Sequence, residues 1–337
     1  MNIAILTHPL GANYGGILQA FALATYLKKQ GHSVCVINRQ PNLPLLRRLI
    51  KRLLIALHHP RYNDPRYRHL TQFVKKHIYC TKPIWTSKQM CNYVKKNDIN
   101  AVFVGSDQVW RQSFAMSYGY NYFLDFVPDG VIRSSYAASF GLDEWEYNEE
   151  QTKQIKRLLL DFKAISVRED FGVDLCNKYL SANAEHVLDP TLLLQAQDYA
   201  SIISPRLEKD SYIFVYWLGT NENKQRALEN FGIEGKKVVE IAPRGGDVLA
   251  SIEDWLSYIY YADHIITDSF HGCAFSILFQ KQFTVFANDS GGNGRLQSLF
   301  TMLEITPESE CIDYSSVFDK LNFHRNKSYG FINKILQ

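Results

Sequence analysis

Short, fully apolar stretches alternate with helical patterns along most of the chain, as in a parallel α/β protein. Residues 3–6 form an apolar run that leads into a glycine-containing loop and then into a helical pattern over 17–27. A strand of a parallel sheet is covered on both faces, so it reads as an uninterrupted apolar run rather than an alternating one. The first forty residues therefore predict a strand, a helix and a second strand over 33–37.

The alternation continues almost to the end of the chain and predicts two domains. Further strands are predicted at 101–104, 134–139, 164–167, 212–218, 237–241, 264–267 and 283–286, and helices at 149–161, 223–231, 251–261, 273–279, 295–303 and 331–336. A length of 337 residues suits two domains rather than one. We predict doubly wound domains over 1–185 and 186–314 with a ligand cleft between them. A C-terminal tail at 315–337 is expected to pack back on the first domain.

Composition places the chain among globular cytoplasmic proteins. The hydrophobic fraction is 46% and the charged fraction 21%, which is typical of a protein with a packed core. The six cysteines lie far apart, without the spacing of a disulfide framework or a metal site, so no metal is expected. A net charge of +3 without a recognised nucleic-acid-binding motif argues against a nucleic-acid partner. We expect a cytoplasmic protein.

Positive charge is concentrated in one segment, a helical insert at 43–82. Ten Lys/Arg residues stand between Arg47 and Lys82 against a single acid, Asp64. Leucine and isoleucine recur there at helical spacing over 45–57, with basic residues between them. Such a helix either packs on the core with a solvated basic face or lies on an anionic membrane surface. The pattern leaves both interpretations open.

Two strand ends in the first half carry polar groups. Asn13, Tyr14 and Gly15 lie in a loop that opens a helix, where free backbone N–H groups can hold an anion or a sugar; the alternative is a tight turn that uses glycine for packing alone. Asp107, Gln108 and Trp110 follow the strand at 101–104, and an indole can stack on a sugar ring. The alternative there is a helix N-cap by Ser106 or Asp107.

Two further strand ends carry charged groups. Arg168 follows the strand at 164–167, where a guanidinium can clamp a carboxylate or phosphate or pair with the neighbouring Glu169 or Asp170. In the second half, the strand at 264–267 runs directly into Asp268, Ser269, Phe270 and His271. We interpret this turn as an active site, the alternative being a capped turn with a surface histidine. Arg295 follows a glycine-rich loop that could close over an anionic ligand, the alternative being a mobile surface loop.

At these positions the chain resembles the polysaccharide pyruvyl transferase family. The resemblance rests on five motifs in order: Asn13-Tyr14-Gly15 with Gln19, Gly105-Ser106-Asp107-Gln108, Ser166-Val167-Arg168-Glu169, Leu188-Asp189-Pro190-Thr191 and Thr267-Asp268-Ser269-Phe270-His271-Gly272. It implies a GT-B-like fold of two Rossmann-like domains facing a central cleft. It also implies transfer of the enolpyruvyl group of phosphoenolpyruvate onto two hydroxyls of a sugar, forming a cyclic ketal and releasing phosphate.

The resemblance assigns roles to the candidate residues. His271 and Asp268 are expected to be catalytic, and Arg168, Ser269, Phe270, His271 and Arg295 to bind the donor, phosphoenolpyruvate. The acceptor, a sugar or lipid-linked oligosaccharide, is expected on the first domain at Asn13, Tyr14, Gly15, Asp107, Gln108 and Trp110. Ser269 stands where family members usually carry an arginine, and we expect Arg295 to replace that cation. Phosphoenolpyruvate is a co-substrate, and no cofactor is expected.

Two alternatives remain open. A GT-B glycosyltransferase that uses a nucleotide sugar would share the fold and the cleft. A non-catalytic, carbohydrate-binding member of the family would explain the missing arginine at Ser269. A contact with the inner membrane surface, through the basic insert, is a further expectation that the sequence does not decide.

Overall fold

The computed structural model describes residues 1–56, 64–231, 233, 235–243, 248–286, 293–306 and 311–337. The chain forms two compact units. Unit 1 comprises Met1–Leu193 together with His324–Gln337, and unit 2 comprises Leu194–Phe323. Among the described residues, no helix is both long enough and apolar enough to cross a membrane.

Unit 1 is built on a six-stranded parallel sheet with strand order β2-β1-β3-β4-β5-β6. Its strands are β1 (Asn2–Leu6), β2 (Ser33–Val36), β3 (Ala101–Val104), β4 (Ile132–Ser135), β5 (Phe162–Val167) and β6 (Ala184–His186). Its helices are α1 (Tyr14–Lys29), α2 (Leu45–Ala56), α3 (Arg68–His77), α4 (Ser87–Lys96), α5 (Gln112–Ala115), α6 (Glu149–Leu159) and α7 (Asp170–Leu175). Every residue of β3 and nearly all of β1 are buried, as their apolar sequences predict.

Unit 2 is built on a four-stranded parallel sheet with strand order β10-β9-β7-β8. Its strands are β7 (Ile213–Tyr216), β8 (Val238–Ile241), β9 (His264–Thr267) and β10 (Phe283–Val285). Its helices are α8 (Ala196–Tyr199), α9 (Asn221–Phe231), α10 (Ile252–Tyr261), α11 (Phe270–Leu278) and α12 (Asn293–Leu303), followed by α13 (Tyr314–Leu336). The prediction of an α/β fold with two doubly wound parallel sheets is confirmed.

Each sheet has one point where the chain changes its winding direction. In unit 1 the chain passes from β1 to β2 on one side and later places β3 on the other side of β1. In unit 2 the winding direction changes between β8 and β9, which lie on opposite sides of β7. Parallel α/β sheets leave a crevice beyond the carboxyl ends of the strands at such a switch point. The two switch points are therefore the places to look for ligand sites.

The C-terminal helix differs most from the sequence-based expectation, which placed a short helix at 331–336. Helix α13 is 23 residues long, because the polar residues Arg325 and Ser328 within its buried stripe are accommodated by hydrogen bonds to the backbone of Leu192 and Leu188. Its final residues belong to unit 1, where Phe331, Ile332 and Ile335 are buried. Arg325 Nε donates a hydrogen bond of 2.9 Å to the carbonyl oxygen of Leu192, which fixes the helix to the preceding turn.

Candidate functional site

A cavity of about 440 Å³ lies at the switch point of unit 1, and we call it the switch-point pocket. It is lined by His8, Pro9, Leu10, Gly11, Asn13, Gly16, Pro41, Asp107, Gln108, Phe114, Ser117 and Tyr118. Three of these, Asn13, Asp107 and Gln108, are residues that the sequence analysis predicts to bind the acceptor. The structure therefore brings together side chains that lie almost one hundred positions apart in the sequence.

Asp107 has an unusual backbone conformation at the edge of this pocket. Its φ of 76° lies in the left-handed region, which few residues other than glycine, asparagine and aspartate adopt. The conformation is held by the surrounding structure, because the carbonyl oxygen of Asp107 accepts hydrogen bonds from the amides of Ser139 and Val109, at 3.1 and 2.7 Å. Backbone strain that is fixed in this way is concentrated at functional sites.

The carboxylate of Asp107 lies against the N-terminus of α1. A Cβ atom added to Gly16 would stand 3.3 Å from Asp107 Oδ2 and 3.2 Å from Asn13 Nδ2, so glycine permits this close approach. Asn13 caps the helix, since its Oδ1 accepts a hydrogen bond of 3.1 Å from the amide of Gly16. The positive end of the helix dipole favours the ionised form of a nearby carboxylate. The carboxylate of Asp107 is thus placed at the pocket wall beside the positive end of α1.

His8 and Phe114 are pocket residues that the sequence analysis missed. His8 lies two residues after the end of β1, and its Nδ1 lies 3.3 Å from the hydroxyl oxygen of Tyr122. Burial raises the pKa of Tyr122 well above its ordinary value, with a further contribution from Tyr118, so the phenol stays protonated. The same logic that selected Asp107, a polar residue at the carboxyl end of a strand, could have found His8.

The prediction that Trp110 binds the acceptor is wrong. Its indole is fully buried, its Nε1–H donates a hydrogen bond of 2.9 Å to the carbonyl oxygen of Tyr122, and it stacks on Phe123 at 5.5 Å. A ring enclosed in this way cannot stack on a sugar. Phe114 lines the pocket and is 43% exposed, so it offers the aromatic surface that the sequence analysis expected from Trp110.

Tyr14 and Gly15 also differ from their predicted role as acceptor ligands. Both residues are buried in the first turn of α1, and the Tyr14 side chain has no exposed surface. The helix begins earlier than the apolar pattern indicated, at Tyr14, so this turn packs inward while Asn13 remains exposed. Of the N-terminal motif, Asn13 and Gly16 reach the pocket.

Arg168 belongs to an internal network rather than to an open site. Its guanidinium is 1% exposed, with Nε 2.8 Å from Glu169 Oε1 and Nη1 3.2 Å from Asp189 Oδ2. Burial by itself lowers the pKa of Arg168, but the carboxylates of Glu169 and Asp189 outweigh it and raise that pKa above its ordinary value. The structure shows the alternative, an ion pair with Glu169, and the role of Arg168 as a donor ligand stays a prediction.

Asp189 is the centre of that network. Its Oδ2 accepts a hydrogen bond of 2.9 Å from Ser106 Oγ, and its Oδ1 accepts from the amide and the hydroxyl of Thr191, at 2.9 and 2.8 Å. Ser106 directly precedes Asp107 in the chain. The network thus connects the Leu188-Asp189-Pro190-Thr191 motif to the strand end that carries the strained pocket aspartate.

The switch point of unit 2 is closed by Asp268. Its Oδ1 accepts a hydrogen bond from the amide of Leu218 and its Oδ2 one from the amide of Gly219, each of 2.7 Å. Both oxygens of the carboxylate are therefore engaged in joining the end of β9 to the loop after β7. The carboxylate thus has a structural role at the end of β9. The catalytic role of Asp268 stays a prediction.

Ser269 and His271 lie in the first turn of α11. Ser269 is the N-cap, with its Oγ 3.3 Å from the amide nitrogen of Gly272 that donates to it. His271 is the second residue of the helix, is 8% exposed, and lies 5.2 Å from the ring centroid of the buried Phe270. The helix starts three residues earlier than predicted, which places His271 where the backbone N–H groups of a helix attract anions. The donor and catalytic roles of His271 and Phe270 stay predictions.

The capping role of Ser269 predicts a measurable loss of stability. Ser269→Ala should lower the free energy of unfolding by about 1 kcal/mol, because the amide of Gly272 loses its acceptor. Ser269→Thr retains a hydroxyl cap and serves as the control. Chemical unfolding monitored by circular dichroism measures the difference, and equal stability of the alanine and threonine variants would contradict it.

Arg295 lies in the first turn of α12 and is partly buried. The proposal that it replaces the family arginine at Ser269 stays a prediction. The glycine pair at 291–292, in the loop before Arg295, lies outside the described residues. Among the residues that the structure does describe, no group of three or more His, Cys, Asp or Glu side chains could hold a metal ion.

A second cavity, of about 610 Å³, shares His8, Pro9 and Leu10 with the switch-point pocket. Its wall includes Lys28, Lys75 and Lys76. These lysines lie in the last turns of α1 and α3, where positive charge offsets the negative end of the helix dipole. Their position has an explanation within the fold, so we do not assign this cavity a ligand.

Two parallel α/β units, each with polar groups at its switch point, define a protein of the GT-B fold class. The switch-point pocket combines a carboxylate, an amide, an imidazole and an aromatic ring, which is a set suited to a polyhydroxylated ligand. The chain belongs to the polysaccharide pyruvyl transferase family, whose family model matches residues 13–290. The resemblance found from the five motifs is thereby confirmed, and the family is one of transferases.

Solved structures of similar fold have very different sequences. A glycosyltransferase from Rickettsia africae is 10% identical with a TM-score of 0.52, covering 100% of this chain and 99% of that one. The UDP-GlcNAc 2-epimerase from Methanocaldococcus jannaschii is 11% identical with a TM-score of 0.51, covering 98% and 100%. A Listeria monocytogenes protein assigned as a UDP-N-acetylglucosamine 2-epimerase is 8% identical with a TM-score of 0.55, covering 100% and 90%.

These similarities support the GT-B fold. At such low sequence identity they support nothing beyond the fold. Curated proteins provide no match to this chain.

Proposed function

We propose that the protein transfers the enolpyruvyl group of phosphoenolpyruvate onto two hydroxyls of a sugar in a polysaccharide precursor, forming a cyclic pyruvate ketal and releasing phosphate. The family supports the reaction class. The observation that carries the acceptor assignment is the switch-point pocket, where Asp107 is held in a strained conformation beside the N-terminus of α1. We place the acceptor sugar in this pocket.

The reaction requires both a proton donor and a proton acceptor. A proton added to the methylene carbon of phosphoenolpyruvate leaves an oxocarbenium-like centre at the carbon that bears the phosphate and the carboxylate. One sugar hydroxyl attacks that carbon and loses its proton, and phosphate then departs. The second hydroxyl attacks the same carbon and loses its proton, which closes the ketal ring.

Asp107 is our candidate for the base that accepts a hydroxyl proton. A carboxylate at a pocket wall within reach of a bound sugar can take that proton, and positioned acid–base groups contribute about 10²–10⁴-fold in rate. Gln108 and Asn13 line the same pocket and have amide groups able to orient neighbouring hydroxyls. Phe114 offers an apolar surface for the sugar ring.

His271 is our candidate for the acid that protonates the methylene carbon, and the first turn of α11 for a site that binds an anionic part of the donor. The support is the helix N-terminus, whose N–H groups and dipole favour phosphate and carboxylate groups. The assignment is independent of the acceptor pocket, so each can be tested by its own variant.

The reaction is tested with purified protein, phosphoenolpyruvate and a panel of galactosides and mannosides. We expect release of inorganic phosphate that depends on the acceptor, together with an acceptor product that has gained a pyruvate ketal by mass spectrometry. Turnover of a nucleotide sugar with no phosphoenolpyruvate consumption would identify a glycosyltransferase instead. Sugar binding without turnover of either donor would identify a non-catalytic carbohydrate-binding protein.

A further inference from the structure

Helix α2 presents its apolar side to solvent. Four large apolar side chains on this helix are exposed, Leu46 at 69%, Leu49 at 52%, Ile50 at 47% and Leu53 at 59%. Their spacing of three, four and seven residues places them on one stripe of the helix. Of the two interpretations that the sequence left open, the exposure of these four side chains favours a helix that lies on a membrane surface over one that packs on the core.

The helix is attached to unit 1 through a polar residue instead. The Nζ atom of Lys51 donates a hydrogen bond of 3.2 Å to Gln40 Oε1 and lies 5.1 Å from the ring centroid of the buried Trp85. Burial lowers the pKa of Lys51, which is consistent with a lysine that faces the protein. The exposed stripe is thus a consequence of how the helix is anchored.

Electrostatics restricts what can cover this stripe. Helix α2 contains four basic residues and no acidic one, and the first acidic side chain anywhere in the sequence is Asp64. Two copies of α2 packed stripe to stripe would bring like charges together without compensation. An anionic lipid surface accepts the apolar stripe among its acyl chains and neutralises the basic residues with its headgroups.

We propose that α2 docks the protein on an anionic membrane surface. The helix lies parallel to the surface, with Leu46, Leu49, Ile50 and Leu53 inserted at the boundary between headgroups and acyl chains and Arg47, which is exposed, at the level of the headgroups. This surface would hold the enzyme where a lipid-linked precursor is accessible. The docking itself does not depend on the proposed reaction.

The experiment is co-sedimentation of the full chain with vesicles, in the absence of any substrate. We expect the protein to bind vesicles of phosphatidylcholine and phosphatidylglycerol, to bind pure phosphatidylcholine vesicles far more weakly, and to be released by salt. The double variant Leu49→Glu, Leu53→Glu should lower the partition coefficient on the mixed vesicles by at least about tenfold. Its fold should be retained, because both side chains are exposed.

A matched control is provided by two exposed apolar residues elsewhere, Leu160 at 84% and Phe323 at 65%. The double variant Leu160→Glu, Phe323→Glu adds the same charge and should bind the mixed vesicles like the wild-type chain. Equal loss of vesicle binding in both double variants would show that the loss comes from the added negative charge alone, and it would overturn the proposal. Failure of the wild-type chain to bind vesicles that contain phosphatidylglycerol would also overturn the proposal. A wild-type dimer that the α2 double variant dissociates would overturn it as well. Loss of vesicle binding with unchanged turnover of a soluble acceptor would support docking and separate it from catalysis.

Discussion

Exchanging Asp107 for asparagine should lower kcat by about 10²–10⁴-fold, the contribution of a positioned general base. Asparagine has the same shape and also tolerates a left-handed backbone, so the φ of 76° at this position can be kept. The variant should therefore remain folded and still bind the acceptor, while it fails to take the proton from the attacking hydroxyl. Steady-state phosphate release gives kcat, and calorimetry gives acceptor affinity.

Asp174→Asn is the matched control for this prediction. Asp174 lines a different cavity of unit 1, of about 360 Å³, next to Trp145 and Tyr179. The same loss of one carboxylate there should leave kcat unchanged. If Asp107→Asn loses acceptor affinity and keeps kcat, Asp107 is a binding residue rather than the base.

Exchanging Asp189 for alanine should lower the free energy of unfolding by about 3–5 kcal/mol, as expected when one partner of a buried ion pair is removed. The carboxylate has no exposed surface and accepts hydrogen bonds from Arg168, Ser106 and Thr191. Alanine removes one of the carboxylates that pair with the buried guanidinium, and it removes the oxygens that accept hydrogen bonds from Ser106 and Thr191. Urea unfolding followed by circular dichroism and fluorescence measures the loss.

Two further variants serve as comparisons for the stability of Asp189→Ala. Asp189→Asn keeps an acceptor oxygen but removes the charge, so its loss should be intermediate. Asp210→Ala removes a carboxylate that is 78% exposed and 3.5 Å from Lys237, and should cost less than about 1 kcal/mol. A loss of similar size for Asp189→Ala and Asp210→Ala would show that the network contributes little to stability.

The sequence predicts the sheets of this protein well because buried parallel strands are apolar throughout. Strands β3 and β9 have the predicted bounds, and most others differ by one or two residues at an end. The helix ends were less predictable. Helices α1 and α11 begin three residues before the predicted helices, at Tyr14 and Phe270, because a glycine-containing first turn capped by a side chain precedes each apolar stretch.

Three of the predicted acceptor residues, Asn13, Asp107 and Gln108, come together in one pocket. Strand ends point to Asp107 and Gln108, because ligands of parallel α/β sheets bind beyond the carboxyl ends of the strands. The same reasoning cannot separate Asp107, which lines a pocket, from Arg168 and Asp268, whose charges are satisfied inside the protein. That distinction depends on hydrogen-bond partners distant in the sequence. Trp110 was misassigned because local sequence does not show that an indole is enclosed.

The end of α13 has a consequence for how the protein is made. The core of unit 1 includes Phe331, Ile332 and Ile335, and the ring of Tyr329 stacks on that of Tyr26 at 4.8 Å. These residues follow unit 2 in the chain, so a ribosome makes them after the whole of unit 2. Although domains of nascent chains generally fold in order from the N-terminus, unit 1 completes its core only after unit 2 has been made. A C-terminal truncation would therefore damage the unit that is synthesised first.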